Sequence, residues 1–176
     1  MSRRLTDYHI IPAGAIVRIN LAWESSLDEL KKHLDELTHY IFLDIPSGRK
    51  KPPNNTHRLE DILNIIETYN NIRYLGISQT ENNEHLMPWI IQTPTRINVV
   101  PKIESMEGIN NIKEICSVLR EPKTIMLDHD DLFQDLCNSY DHPENMYEDW
   151  INPLIEVCNK MQVRVLRTAG IVFIDR

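Results

Sequence analysis

Short apolar runs alternate with helix-patterned segments along this 176-residue chain. AIVRINLA (15–22) precedes SSLDELKKHLDEL (25–37), where Leu27, Leu30, Leu34 and Leu37 recur at helical spacing and Ser25 or Ser26 can cap. YIFLDIP (40–46) runs into the loop PSGRKKPPNN (46–55), and a helical pattern follows from His57 to about Tyr69. RYLGIS (73–78), INVVPKIE (97–104), KTIMLDHDDL (123–132) and VRVLRTAG (163–170) are the remaining strand candidates. Between them, HLMPWIIQ (85–92) fits a helix with Pro88 in its first turn, and Ile109, Ile112, Ile115, Cys116 and Leu119 mark another helix. KTIMLDHDDL ends in an acidic turn, and a long helix carries Trp150, Ile151, Leu154, Ile155, Cys158 and Met161.

Six strands in alternation with helices predict an α/β fold with a parallel sheet and helical crossovers. Right-handed crossovers leave an open doubly wound sheet or a (β/α) barrel of the TIM type. The length suits one domain spanning residues 1–176. A net charge of −7 argues against nucleic acid or an anionic membrane as partner. No apolar run is long enough to cross a bilayer or serve as a signal peptide, so a soluble, cytoplasmic protein is expected. Cys116, Cys137 and Cys158 form no CxxC or Cys/His pair and read as reduced thiols.

In parallel α/β folds, chemistry collects at the carboxyl ends of the strands. Those ends carry Arg18 and Asn20, Asp44, Ser78, Lys102 and Glu104, Asp128 to Asp131, then Arg167 and Thr168. A buried Lys or Glu without a partner is costly, so charges of both signs imply convergence on one another, a metal or a ligand. Glu104 and Asp131 can offer oxygens to a hard divalent cation, and Lys102 and Arg18 can hold an anionic substrate or its enolate. Salt bridges between neighbouring strands would satisfy the same residues.

VVPKIESMEGINNIKEI followed by TIMLDHDDL resembles pyruvate kinase and, more broadly, the phosphoenolpyruvate/pyruvate barrel superfamily. Lys102, Ile103, Glu104, Glu107, Gly108, Asn111, Asp131 and Leu132 fall in register with that family's pattern. AIVRINLAWES resembles its Arg-x-Asn strand, IFLDIPSGRKK its Asp-Leu-x-Gly-Pro-Lys strand, YLGISQT its Ile-Ser strand, and VRVLRTAG stands where it has a Thr-Gln motif. The likeness covers roughly residues 13–170. It implies Mg²⁺ or Mn²⁺ on Glu104 and Asp131, and Lys102 beside the transferred group and the enolate oxygen. It further implies a phosphoryl contact for Arg18 and a substrate neighbour in Thr168. Asn20 and Asp44 match positions that serve a monovalent cation such as K⁺, and Ser78 and Asp130 fall among the substrate-binding positions.

The departures are specific. The family's Arg-Gly-Asp is His129-Asp130-Asp131 here, so a Gly is lost and Asp130 adds negative charge where a substrate carboxylate would bind. Arg49, Lys50 and Lys51 replace the usual Lys-Ile-Arg, and the lid domain, the regulatory C-terminal domain and the first and eighth strands have no counterpart. The resemblance therefore implies an incomplete barrel and a divalent-metal-dependent enzyme on a small anionic keto acid, through a metal-held enolate. Its chemistry would be pyruvate kinase-like or that of the related citrate lyase β-subunit and hydroxy-acid aldolases. The alternative is a catalytically degenerate binding or assembly protein. A homo-oligomer or a partner chain that completes the barrel is the expected assembly. His129 can act as an acid or ligand beside Asp131, or stand as a structural turn residue.

Overall fold

The computed structural model describes residues 14–48, 52–142 and 146–168. The basic triplet Arg49 to Lys51, and the ends of the matched region at residues 13, 169 and 170, lie outside these. Among the described residues, six strands form one parallel sheet in sequential order: β1 (Ile16–Asn20), β2 (Tyr40–Ile45), β3 (Ile72–Ile77), β4 (Asn98–Ile103), β5 (Thr124–Leu127) and β6 (Arg164–Arg167). The crossovers carry α1 (Leu27–Asp35), α2 (Leu59–Thr68), α3 (Asn83–Gln92), the pair α4 (Met106–Asn110) and α5 (Ile112–Ser117), and the pair α6 (His129–Ser139) and α7 (Tyr147–Lys160). The sheet curls into a half-barrel in which β1 and β6 are the edges. Among the described residues, no helix is long and apolar enough to cross a membrane.

Strand residues alternate between two faces, and the sequence uses both. Val17, Ile19, Ile41, Leu43, Ile45, Leu75, Ile77, Val99, Ile103, Ile125 and Leu127 point outward into the main core, where they meet Leu30, Leu34, Ile62, Ile66, Leu86 and Leu154 from the helices. Each such fully buried aliphatic side chain contributes roughly 1.5–3 kcal/mol. The opposite face carries a smaller apolar floor of Phe42, Val100 and Met126, flanked by Tyr74 and Leu166. A register shift between Ile41 and Phe42 keeps β3 in phase with this pattern from Tyr74 onward. Phe42 and Tyr74 stack with ring centroids 6.1 Å apart.

Helix starts follow local chemistry. Ser26 accepts from Glu29 N, Asn82 from His85 N and Ser105 from Gly108 N, which satisfies amides that the first helical turn leaves without partners. Three local expectations are corrected. Pro88 lies in the middle of α3 rather than in its first turn, because the Asn82 cap starts the helix earlier. The helix expected around residues 109–119 is two short helices that meet at Asn111. The acidic turn after β5 is the first turn of α6, where Asp130 and Asp131 meet the positive end of the helix dipole. Cys116 and Cys158 are buried and Cys137 is exposed, all as free thiols. A hydrogen bond with Cys158, together with burial, pushes the Cys116 thiol far up and keeps it protonated.

Candidate functional site: a carboxylate cluster around Lys102

The concave face changes character toward the carboxyl ends of the strands. Two residues beyond Phe42 stands Asp44; beyond Val100 stand Lys102 and then Glu104; beyond Met126 stands Asp128; beyond Leu166 stands Thr168. The period of two that builds the apolar floor thus sets a charged layer above it.

Lys102 is the hub. Its ammonium contacts Glu104 Oε1, lies 3.5 Å from Asp128 Oδ2 and 3.6 Å from Asp44 Oδ2, and donates to Ser78 Oγ at 3.2 Å. Burial pulls its pKa down, but the charges of Asp44 and Glu104 outweigh that and raise it overall. Lys102 therefore stays charged despite being 4 % exposed. Arg18 reaches over from β1: its Nε donates to Asp44 Oδ2 at 3.0 Å, and its terminal nitrogen contacts the same oxygen. Ser78 Oγ approaches Asp44 Oδ1 at 3.4 Å.

Glu104 is 7 % exposed. Gln79 N donates to its Oε2 at 2.8 Å. Its Oε1 pairs with the Lys102 ammonium. Burial pushes the Glu104 carboxyl up, Lys102 and the Gln79 amide pull it partly back, and Asp128 adds to the rise. Gln79 itself holds φ +49, a left-handed conformation that costs a non-glycine residue about 1–2 kcal/mol. That strain directs its amide at Glu104.

Glu104, Asp128 and Asp131 each offer an oxygen, and these oxygens lie within 4.8 Å of one another. Asp131 comes from α6 and is exposed, while the other two are buried at the strand ends. Among the described residues, four carboxylates, counting Asp44, face the two cations Arg18 and Lys102. The net negative charge of these described residues and the all-oxygen donor set fit a hard divalent cation. A cleft of about 380 Å³ opens beside the cluster, walled by Gln79, Lys102 and Glu104 on one side and by Asp131, Gln134 and Asp135 of α6 on the other.

The structure brings together Arg18, Asp44, Ser78, Lys102, Glu104 and Asp131 from the sequence-derived set. Thr168 joins through its hydroxyl, 3.5 Å from Asp128 Oδ1, and accepts from His129 N at 3.2 Å. Asn20 turns to its own backbone, where its side chain accepts from Ala22 N and caps the short 3-10 turn Leu21–Trp23. Asp130 is exposed and is not part of the carboxylate cluster. His129 faces Tyr147, whose hydroxyl its Nδ1 contacts; burial and the Arg167 charge lower its pKa. Asp128 is the residue that the sequence set did not name as a ligand, although Met126-x-Asp128 has the same spacing as Val100-x-Lys102.

No family model and no curated protein matches this chain. Solved structures do. RipC from Yersinia pestis superposes with a TM-score of 0.61 at 18% identity, over 86% of this chain and 68% of that one. The citrate synthase SbnG superposes with a TM-score of 0.62 at 14% identity, over 89% of this chain and 68% of its own. At such identities the likeness is one of fold, and the expected barrel-like α/β architecture is what it shows.

Proposed function

We propose that this chain is a divalent-metal-dependent enzyme that acts on a small 2-oxo acid through an enolate, with lyase or aldolase chemistry. The observation that carries the reading is the Glu104–Asp128–Asp131 oxygen cluster, adjoining the Lys102 ammonium at the mouth of the half-barrel. A divalent cation there would supply positive charge opposite a developing enolate oxygen. Lys102 adds a second positive charge that burial makes effective. Asp44 and Ser78 fix the ammonium, Gln79 orients Glu104, and α6 forms one wall of the cleft.

Phosphoryl transfer to a nucleotide fits this cleft poorly. Glu81, Glu104, Asp131 and Asp135 all line it, and a polyphosphate would meet repulsion where that chemistry needs charge neutralisation. One of the fold neighbours is a citrate synthase, which is in keeping with chemistry on a small carboxylic acid. Among the described residues, β1 and β6 each pair on one side only, so the proposal includes a second copy or a partner chain against these edges.

The test is exchange of the pyruvate methyl protons in D₂O, followed by NMR with Mg²⁺ present. Exchange that requires both protein and Mg²⁺, and that disappears in Glu104→Gln, supports the assignment. Exchange no faster than with Mg²⁺ alone removes it. A second reading draws on the closure of the network: Arg18 and Lys102 both already contact carboxylates. In that reading the cluster is a retained ion-pair scaffold in a non-catalytic relative.

A further inference from the structure

A second constellation stands on the same rim, on the far side of Gln79. Ser47 follows β2, and His85 sits in the first turn of α3. Ser47 Oγ and His85 Nε2 are 2.6 Å apart, while His85 Nδ1 lies 3.1 Å from the backbone carbonyl oxygen of Gln79. A carbonyl can only accept, so Nδ1 carries the proton and donates it. In the neutral imidazole Nε2 is then the bare nitrogen, and the Ser47 hydroxyl donates to it. Base, orienting acceptor and hydroxyl are thus aligned with one tautomer fixed, which is the relationship that activates a serine.

Three features hold the arrangement. The Asn82 side chain accepts from His85 N and anchors the turn that carries the imidazole. Gln79 has a left-handed φ of +49, so its carbonyl faces His85 while its amide faces Glu104. Gly48, at φ +70, passes so close to the Gln79 side chain that a Cβ there would collide with it. Ser47 and His85 are both half-buried.

We propose that Ser47 is an activated nucleophile with His85 as its general base, and that the site takes the acyl group of an activated carboxylic ester. Ser47 Oγ bonds to the acyl carbon as the bond from that carbon to the leaving oxygen breaks. The Ser47 proton passes to His85 Nε2 and from there to the leaving oxygen, which departs as the alcohol, so Nε2 is again a free base. Water then attacks the acyl-serine ester and gives a proton to Nε2, the carboxylic acid departs, and Ser47 regains its proton. This chemistry is independent of the metal cluster.

p-Nitrophenyl acetate is the probe, with the full-length chain and no added metal. The expected result is a burst of one equivalent of p-nitrophenolate, with acetyl found on the peptide that contains Ser47. Ser47→Ala removes the burst. His85→Gln, which can still donate to the Gln79 carbonyl but is not a base, slows it by about a hundredfold. Ser139→Ala, at an exposed serine on α6, leaves it unchanged. Acetyl found only on other residues, an undiminished burst in His85→Gln, or no acetylation of the wild type each overturns the proposal. The wild-type mapping decides the matter even where a variant does not fold.

Discussion

The Lys102 ammonium lies 3.5 Å from Asp128 Oδ2 across the boundary between β4 and β5. Lys102 has Met126 as its register partner, so Asp128 stands one inward-facing position further along the neighbouring strand. The contact joins the cation hub to the carboxylate that completes the cluster. Removing Lys102 would leave Asp44, Glu104 and Asp128 buried without their shared counter-ion. Lys102→Ala is expected to cost about 3–5 kcal/mol, measured by urea denaturation at neutral pH. The double variant with Glu104→Gln should cost less than the sum of the singles; full additivity would mean that the two side chains do not interact.

Asp128→Asn is expected to weaken Mn²⁺ binding by at least about tenfold, or roughly 1.4 kcal/mol. Asp131→Asn should weaken it as well. Asp130→Asn should leave it unchanged, since Asp130 lies outside the cluster. Calorimetric titration of the three variants separates these outcomes, and equal losses at Asp130 and Asp131 would contradict the ligand assignment.

Gly76 lies between Phe42 and Asp44 on the concave face. A Cβ there would stand 2.8 Å from Phe42 Cζ and 3.4 Å from Asp44 Oδ1. Gly76→Ala is therefore expected to displace the Phe42 ring against Asp44 and to destabilise by about 1–3 kcal/mol. Thermal melting reports the stability loss; a variant as stable as the wild type would show that the floor can relax.

The burial that raises the Glu104 pKa gives stability a definite pH dependence. Its folded-state pKa exceeds the unfolded value of about 4.3. The folded state therefore binds the proton more tightly, and this contribution is fully present below the unfolded pKa and lost as pH rises through the raised one. In metal-free protein, the stability of wild type relative to Glu104→Gln should fall as pH rises across that window. Mn²⁺ should reverse the trend, because ligation favours the ionised carboxylate. Denaturation series of both proteins, with and without Mn²⁺, check the sign.

Much of this was legible in the sequence. The alternation of apolar runs with helical patterns yields six parallel strands in sequential order, and strand parity brings Arg18, Asp44, Ser78 and Lys102 together on one face, while Asp131 reaches the cluster from α6. Asp128 escaped as a ligand because the resemblance assigns the metal to Glu104 and Asp131, although its spacing from Met126 carries the signal. The acidic stretch after Leu127 reads as a turn, since aspartates favour turns as well as the first turn of a helix; Leu132 and Leu136, both buried, were the helical cue. The Ser47–His85 pair was not legible, because the two residues are 38 positions apart and only the packing of α3 against the loop after β2 joins them.

The measurement that bears most directly on the central claim is a calorimetric titration with Mn²⁺, with and without oxalate as a mimic of enolpyruvate. The account predicts Mn²⁺ binding that tightens with oxalate and is lost in Glu104→Gln. Absence of Mn²⁺ binding in both conditions, or binding that persists unchanged in Glu104→Gln, would contradict it.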